Sequence, residues 1–183
     1  MSPLVLAANT ADADAAQAIA RHHTELAATT AVKTLHFLNT VRGERASGAR
    51  YAARSALVTW CAGHVLPYVE REAEVLYPAL PETDEGRMLQ AVLERDLALV
   101  RDRLADLTTL DDPHEAGAAA VMLRSAIEHH LQRERDELLP YLAFARSQSI
   151  AALWQRLEPA TSAGLAADSA ASAASPVDAG LPR

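Results

Sequence analysis

Two helix-forming stretches of this chain break an apolar stripe with a polar pair, and they do so in the same way. One reads Tyr68-Val-Glu-Arg-Glu72-Ala-Glu-Val-Leu-Tyr-Pro78-Ala-Leu80, the other His130-Leu-Gln-Arg-Glu134-Arg-Asp-Glu-Leu-Leu-Pro140-Tyr-Leu142. Each sets a metal-capable side chain four residues before a glutamate, so both heads of a pair share one helix face. That face is the apolar one. In the second copy it runs Ala116, Ala120, Leu123, Ile127, His130, Glu134, Leu138, Tyr141, and in the first Ala53, Leu57, Cys61, Val65, Tyr68, Glu72, Val75, Ala79. A lone pair of this kind is ordinarily a solvated ion pair. Two copies aimed into a core cost several kcal/mol unless something compensates them, which points to a shared polar site.

The rest of the chain supplies the walls. Four long helical patterns follow one another: about 11 to 41, ending at Gly43 in what should be a left-handed turn; about 48 to 76, ending at Pro78 and Pro81; a third capped by Thr83 or Asp84; and a fourth opened by Asp112-Pro113-His114-Glu115. Short connections between long helices predict an all-α, antiparallel up-down-up-down four-helix bundle. Ile150 to Leu157 predicts a short C-terminal helix packed on it. Residues 159–183 are Ala, Ser, Gly, Pro and Asp with almost no large apolar side chain, a composition expected of a disordered tail beside one domain over 1–158. Pro67 removes a backbone donor and should distort the second helix just before Tyr68.

The chain has 183 residues and a net charge of -7, with no cluster of basic residues. This argues against nucleic acid or an anionic membrane as partner. The apolar stretch Pro3 to Ala8 is too short and uncharged for a signal peptide, and the single Cys61 reads as a core residue, so a cytoplasmic location is expected.

His23 is the candidate ligand of the first helix, because Ile19, Leu26, Thr30 and Phe37 place it on the core stripe. The third helix has no histidine and offers Asp96, flanked by Leu89, Leu93, Val100 and Leu104, with Glu94 as the alternative. His64, one turn before Tyr68, reads as either a ligand or a hydrogen-bond partner of the site. His22 and His129 lie beside proposed ligands and read as supporting or solvated groups, His36 as a partly buried surface residue and His114 as solvated.

His23, Glu72, His130, Glu134 and the trailing Leu-Tyr-Pro and Leu-Leu-Pro segments resemble the hemerythrin-like, or HHE cation-binding, family over about residues 12 to 146. Tyr68 and Asp96 stand where that family carries histidines. With the Ala/Arg-rich composition, these departures resemble an actinobacterial, mycobacterial-type subgroup. The resemblance implies a four-helix bundle and a metal site at His23, Glu72, His130 and Glu134, to which the residue pattern adds His64, Tyr68 and Asp96.

Imidazole, carboxylate and phenol without thiolate suit iron, and carboxylates from several bundle helices commonly bridge two metals, so two iron ions with an oxo or hydroxo bridge are expected. Glu72, Asp96, Glu134, a Tyr68 phenolate and an oxide together balance two ferric ions, which disfavours a reversible oxygen carrier. The expected activity is decomposition of hydrogen peroxide or detoxification of nitric oxide, with His64, Tyr68 and His129 as catalytic groups. The alternative is a protein that binds or senses oxygen, nitric oxide or iron without turnover.

Overall fold

The computed structural model describes residues 9–43, 46–145 and 148–157, and among them there is no strand. The protein is all-helical. Six α-helices are α1 (Thr10–Arg42), α2 (Ser47–Trp60), α3 (Leu66–Val75), α4 (Asp84–Thr109), α5 (Pro113–Arg133) and α6 (Leu139–Ala145), followed by a helical segment over 150–157. Among the described residues, no helix is long and apolar enough to cross a membrane. The tail expected to be disordered and the apolar stretch at Pro3 to Ala8 lie outside the described residues.

Side-chain caps start α1, α4 and α5. Asn9 accepts from the N–H of Asp12 at 2.9 Å, Thr83 from Gly86 at 3.1 Å, and Asp112 from both His114 and Glu115. Each satisfies donors that a helix start leaves unpaired. Gly43 ends α1 at φ -80° and ψ 10°, so the expected left-handed turn is absent; its N–H instead bonds the carbonyl of Asn39 at 3.0 Å.

The second long helix is three pieces. Between α2 and α3 lies a π-helical turn, Cys61–Val65, in which the Leu66 N–H reaches back to the Cys61 carbonyl. Pro67 comes two residues later. One extra residue in the turn relieves the clash and missing bond that proline creates, so the distortion expected before Tyr68 takes this form. The same device recurs, unanticipated, after α5: Glu134–Leu138 is π-helical, with Pro140 two residues beyond. After α3, Pro78 sits in a 3₁₀ turn, Tyr77–Ala79, and the helix stops.

α1 packs against α2 and α5, and α4 against α5, α3 and α2. Arg54 of α2 donates to the carbonyls of Leu107 and Leu110, tying α2 to the end of α4. The 150–157 segment buries Ile150, Leu153 and Leu157. It is pinned to α1 by Asp12, which accepts from the Ser149 hydroxyl at 2.6 Å and the Ala151 N–H at 2.9 Å. These bonds hold the Asp12 carboxyl below its ordinary pKa, the Ala151 N–H contributing most.

The buried apolar residues form two clusters. One contains Leu26, Phe37, Leu57, Val69, Leu104, Leu123 and Leu131; the other contains Ile19, Val75, Leu76, Leu93, Leu138, Leu142 and Leu157. Along α1 and α3 the boundary between them falls at His23 and Glu72, and past the end of α5 it falls at Glu134, between Leu131 and Leu138. A polar layer therefore divides the core.

Gly86 takes its place through a close approach, since a Cβ there would lie 2.2 Å from the Pro81 carbonyl oxygen. Gly63 meets nothing within 4 Å. Gly86→Ala should lower the melting temperature through a loss of about 1–3 kcal/mol. Gly63→Ala should raise it through a gain of about 0.5–1 kcal/mol. Thermal unfolding by circular dichroism checks both signs.

Candidate metal centre

Four ionisable residues are wholly buried: His23, Glu72, His130 and Glu134, each 0% exposed. The repeat explains why they meet. Glu72 comes from α3 after one π turn, His130 from the last turns of α5, and Glu134 from the start of the second π turn. His23 projects from α1 between Ile19 and Leu26 of the two clusters.

The contacts are close and asymmetric. Glu72 Oε1 lies 2.8 Å from His23 Nε2 and accepts from the Tyr68 hydroxyl at 2.8 Å. Glu134 Oε1 accepts from the Tyr77 hydroxyl at 3.0 Å and lies 3.5 Å from His130 Nε2, while its Oε2 lies 3.7 Å from His23 Nε2. Each carboxylate thus has one oxygen held by a phenol. Neither nitrogen of His130 has a hydrogen-bond partner, and with both carboxylates ionised Glu72 Oε2 and Glu134 Oε2 have none either; a proton on one carboxyl lets the two glutamates bond each other. Donor atoms of His23, Glu72 and Glu134 lie within 4.8 Å of one another, a spacing at which the three can hold a metal ion.

Burial sets the protonation of these groups in the absence of a cation. It pushes the Glu72 carboxyl up to about 8, against the opposing hydrogen bonds from Tyr68 and Glu134. Glu134 is pushed well above the carboxylate range by burial and then by the charge of Glu72. Burial brings His23 down to about 4, against the opposing charge of Glu134; it brings His130 down to about 4 as well, reinforced by His23. Both phenols are held protonated, Tyr68 by burial and Glu72, Tyr77 by burial and Glu134. Without a cation the layer is therefore neutral near pH 7, with imidazoles unprotonated and carboxyls protonated.

The remaining expected site residues lie elsewhere. Asp96 is not in the group: its Oδ2 sits 3.4 Å from Arg133 Nε and 3.9 Å from His129 Nε2. A cation on the facing helix thus accounts for a carboxylate on a leucine-rich face. Glu94 is exposed and accepts from Gln90 at 2.8 Å. His64, on the first π turn, stacks on Trp60 with ring centres 4.5 Å apart. His129 is 58% exposed and contacts Arg133. His22 packs its ring 4.3 Å from that of Tyr68. Cys61 is buried in the core, and burial pushes its thiol up to about 12.

Tyr77 joins the group without having been expected there. A signal for it exists in the repeat, since Tyr77 occupies the place that Leu139 holds in the second copy, and a phenol substituted for a buried leucine needs a hydrogen-bond acceptor.

Comparison of the chain with models of known protein families, with curated proteins and with solved structures finds no match.

The protonation pattern has a testable sign. Glu72 binds its proton more tightly folded, at about 8, than unfolded, at 4.5, so metal-stripped protein loses stability as pH rises from 4.5 through 8. His23 and His130 act oppositely: their folded values of about 4 lie below 6.5, so their contribution is lost as pH falls from 6.5 through 4. Between pH 6.5 and 8 only the carboxyl effect remains. The melting temperature of metal-stripped protein should fall across that window, and Glu72→Gln should lessen the fall.

Proposed function

We propose that the buried layer is an iron centre in an antiparallel up-down-up-down four-helix bundle of the hemerythrin-like kind, and that the protein decomposes hydrogen peroxide in the cytoplasm. One observation carries this reading. With both carboxylates ionised, four buried ligand atoms, Glu72 Oε2, Glu134 Oε2 and both nitrogens of His130, have no hydrogen-bond partner, although unsatisfied polar atoms are costly in a core. Their chemistry fits iron: oxygen and imidazole nitrogen, with no thiolate among the buried group. His23, Glu72, His130, Glu134 and Tyr68 would hold the iron. Bound iron would supply Lewis-acid and redox chemistry for a two-electron disproportionation of peroxide.

The chain's own residues would prepare that chemistry. The two apolar clusters on either side exclude bulk water from the layer, which strengthens every electrostatic interaction inside it. Tyr77 orients Glu134 through its hydroxyl, and Tyr68 orients Glu72. A phenol on a strong Lewis acid gives up its proton, so Tyr68 would serve as an anionic ligand once iron is bound. His64 and His129, expected as catalytic groups, make their contacts with Trp60 and with Arg133 and Asp96.

The position of Asp96 favours a second reading. Paired with Arg133, it is not among the grouped ligand atoms, and a centre with one carboxylate ligand fewer stabilises ferric iron less than the full set would. That shifts the balance toward binding or sensing of oxygen, nitric oxide or iron without turnover.

Protein purified from iron-supplemented cells should carry about two iron ions per chain, the stoichiometry of carboxylate-bridged bundle sites. Glu134→Ala should lose most of that iron, and Tyr68→Phe should abolish a phenolate-to-iron band in the visible spectrum. Oxygen-electrode assays should record oxygen release from hydrogen peroxide. Reversible oxygen uptake with no peroxide turnover would establish the second reading instead, and a metal-free protein would exclude both.

A further inference from the structure

An open groove of about 530 Å³ lies between α3 and α4, walled by Ala73, Glu94, Leu97 and Arg101 among others and reaching Tyr77. Among the described residues, Tyr77 is the one side chain that both lines this groove and hydrogen-bonds a member of the buried layer, donating to Glu134 at 3.0 Å. Its ring separates the open space from a wholly buried carboxylate. Tyr77 belongs to a short 3₁₀ turn rather than to a continuous helix, and it comes just after the end of α3. Its hydroxyl bond is the polar restraint on the ring.

We propose that this groove is the way by which a small uncharged molecule reaches the buried layer, and that the Tyr77 ring opens and closes it. The inference rests on the reading of the layer as a metal centre. Charge selects the class of molecule. Arg101, the groove's one guanidinium among the residues lining it, is bonded to Glu70 at 2.8 Å and Glu74 is paired with Arg71 at 2.9 Å, while the carboxylate of Glu94 adds negative charge that repels anions. Cations meet the opposite barrier at the apolar floor of Ala73, Leu97 and the Tyr77 ring, where they would lose their hydration. Hydrogen peroxide and nitric oxide meet neither barrier. On the Tyr68 side His22 packs on the phenol ring and keeps 13% of its own side chain exposed, which makes it the alternative route to test.

The test is stopped-flow binding of nitric oxide to the iron-loaded, reduced protein. Ala73→Trp and Gln90→Trp fill the groove from opposite walls, so one remains informative if the other fails to fold. Each should slow nitric oxide association by about tenfold or more, as a narrowed way in does, while iron content and the final spectrum stay unchanged. Tyr77→Phe removes the restraint on the ring and should speed association several-fold. His22→Trp should leave the rate unaltered. The proposal is overturned if both groove variants bind at the wild-type rate, or if His22→Trp is the variant that slows. Wild-type protein that holds no iron would overturn the metal reading and this proposal together, an outcome distinct from a failure of the groove variants alone.

Discussion

Two carboxyl groups with no access to solvent, Glu72 and Glu134, share the buried imidazole of His23, Glu134 also faces that of His130, and the layer they form divides the core. Like charges this close cannot both be ionised in a low-dielectric interior without a counter-charge. His23 alone does not supply it, because the same burial that raises the carboxyls pushes its own protonation down to about 4. The layer has two consistent states. Either the carboxyls carry protons, or a cation sits among the oxygen and nitrogen atoms that are otherwise unsatisfied. The apolar clusters above and below give the layer nowhere to relax, since ionising it in place has no water to draw on.

The backbone devices that aim these groups are local. Each π turn has a proline two residues beyond its end, and each inserts a residue that rotates the downstream helix relative to the upstream one. In the first copy the insertion comes before the Tyr68 and Glu72 pair; in the second it begins at Glu134. The two halves of the repeat are therefore not superposable, and their trailing prolines end differently. Pro78 closes a 3₁₀ turn that presents Tyr77 to Glu134, whereas Pro140 lies in the continuing helix α6.

Periodicity is enough to put His23, Glu72, His130 and Glu134 on core faces, because an ionisable residue on an apolar stripe is conspicuous whatever the tertiary arrangement, and all four are wholly buried. Helix boundaries are legible for a similar reason: Thr83 and Asp112 act through bonds to residues two or three positions away. What one helix cannot reveal is the side chain that faces it. In the sequence Asp96 has the look of another core carboxylate, and only the position of Arg133 on a neighbouring helix shows it as half of an ion pair at the edge of the layer. His64 has Trp60 as its partner one turn back, equally close in sequence to the site but stacked away from it. Tyr77 is hidden in a segment that reads as apolar, and its pairing with Leu139 in the repeat is the clue to it. The second π turn was not anticipated, although Pro140 carries the same signal as Pro67.

Completion of the buried layer by a cation is tested most directly by thermal unfolding of metal-stripped protein at pH 8, before and after addition of stoichiometric ferrous iron without oxygen. A ligand bound only by the folded state adds stability by mass action, about 4 kcal/mol when free ligand exceeds its dissociation constant a thousandfold. Wild-type protein should melt several degrees higher with iron, and the Glu72→Gln, Glu134→Gln double variant, whose amides need no counter-charge, should not respond. An unchanged melting temperature for the wild type, with no iron retained after gel filtration, would contradict the account and leave the layer as a pair of protonated carboxyls in a helical core.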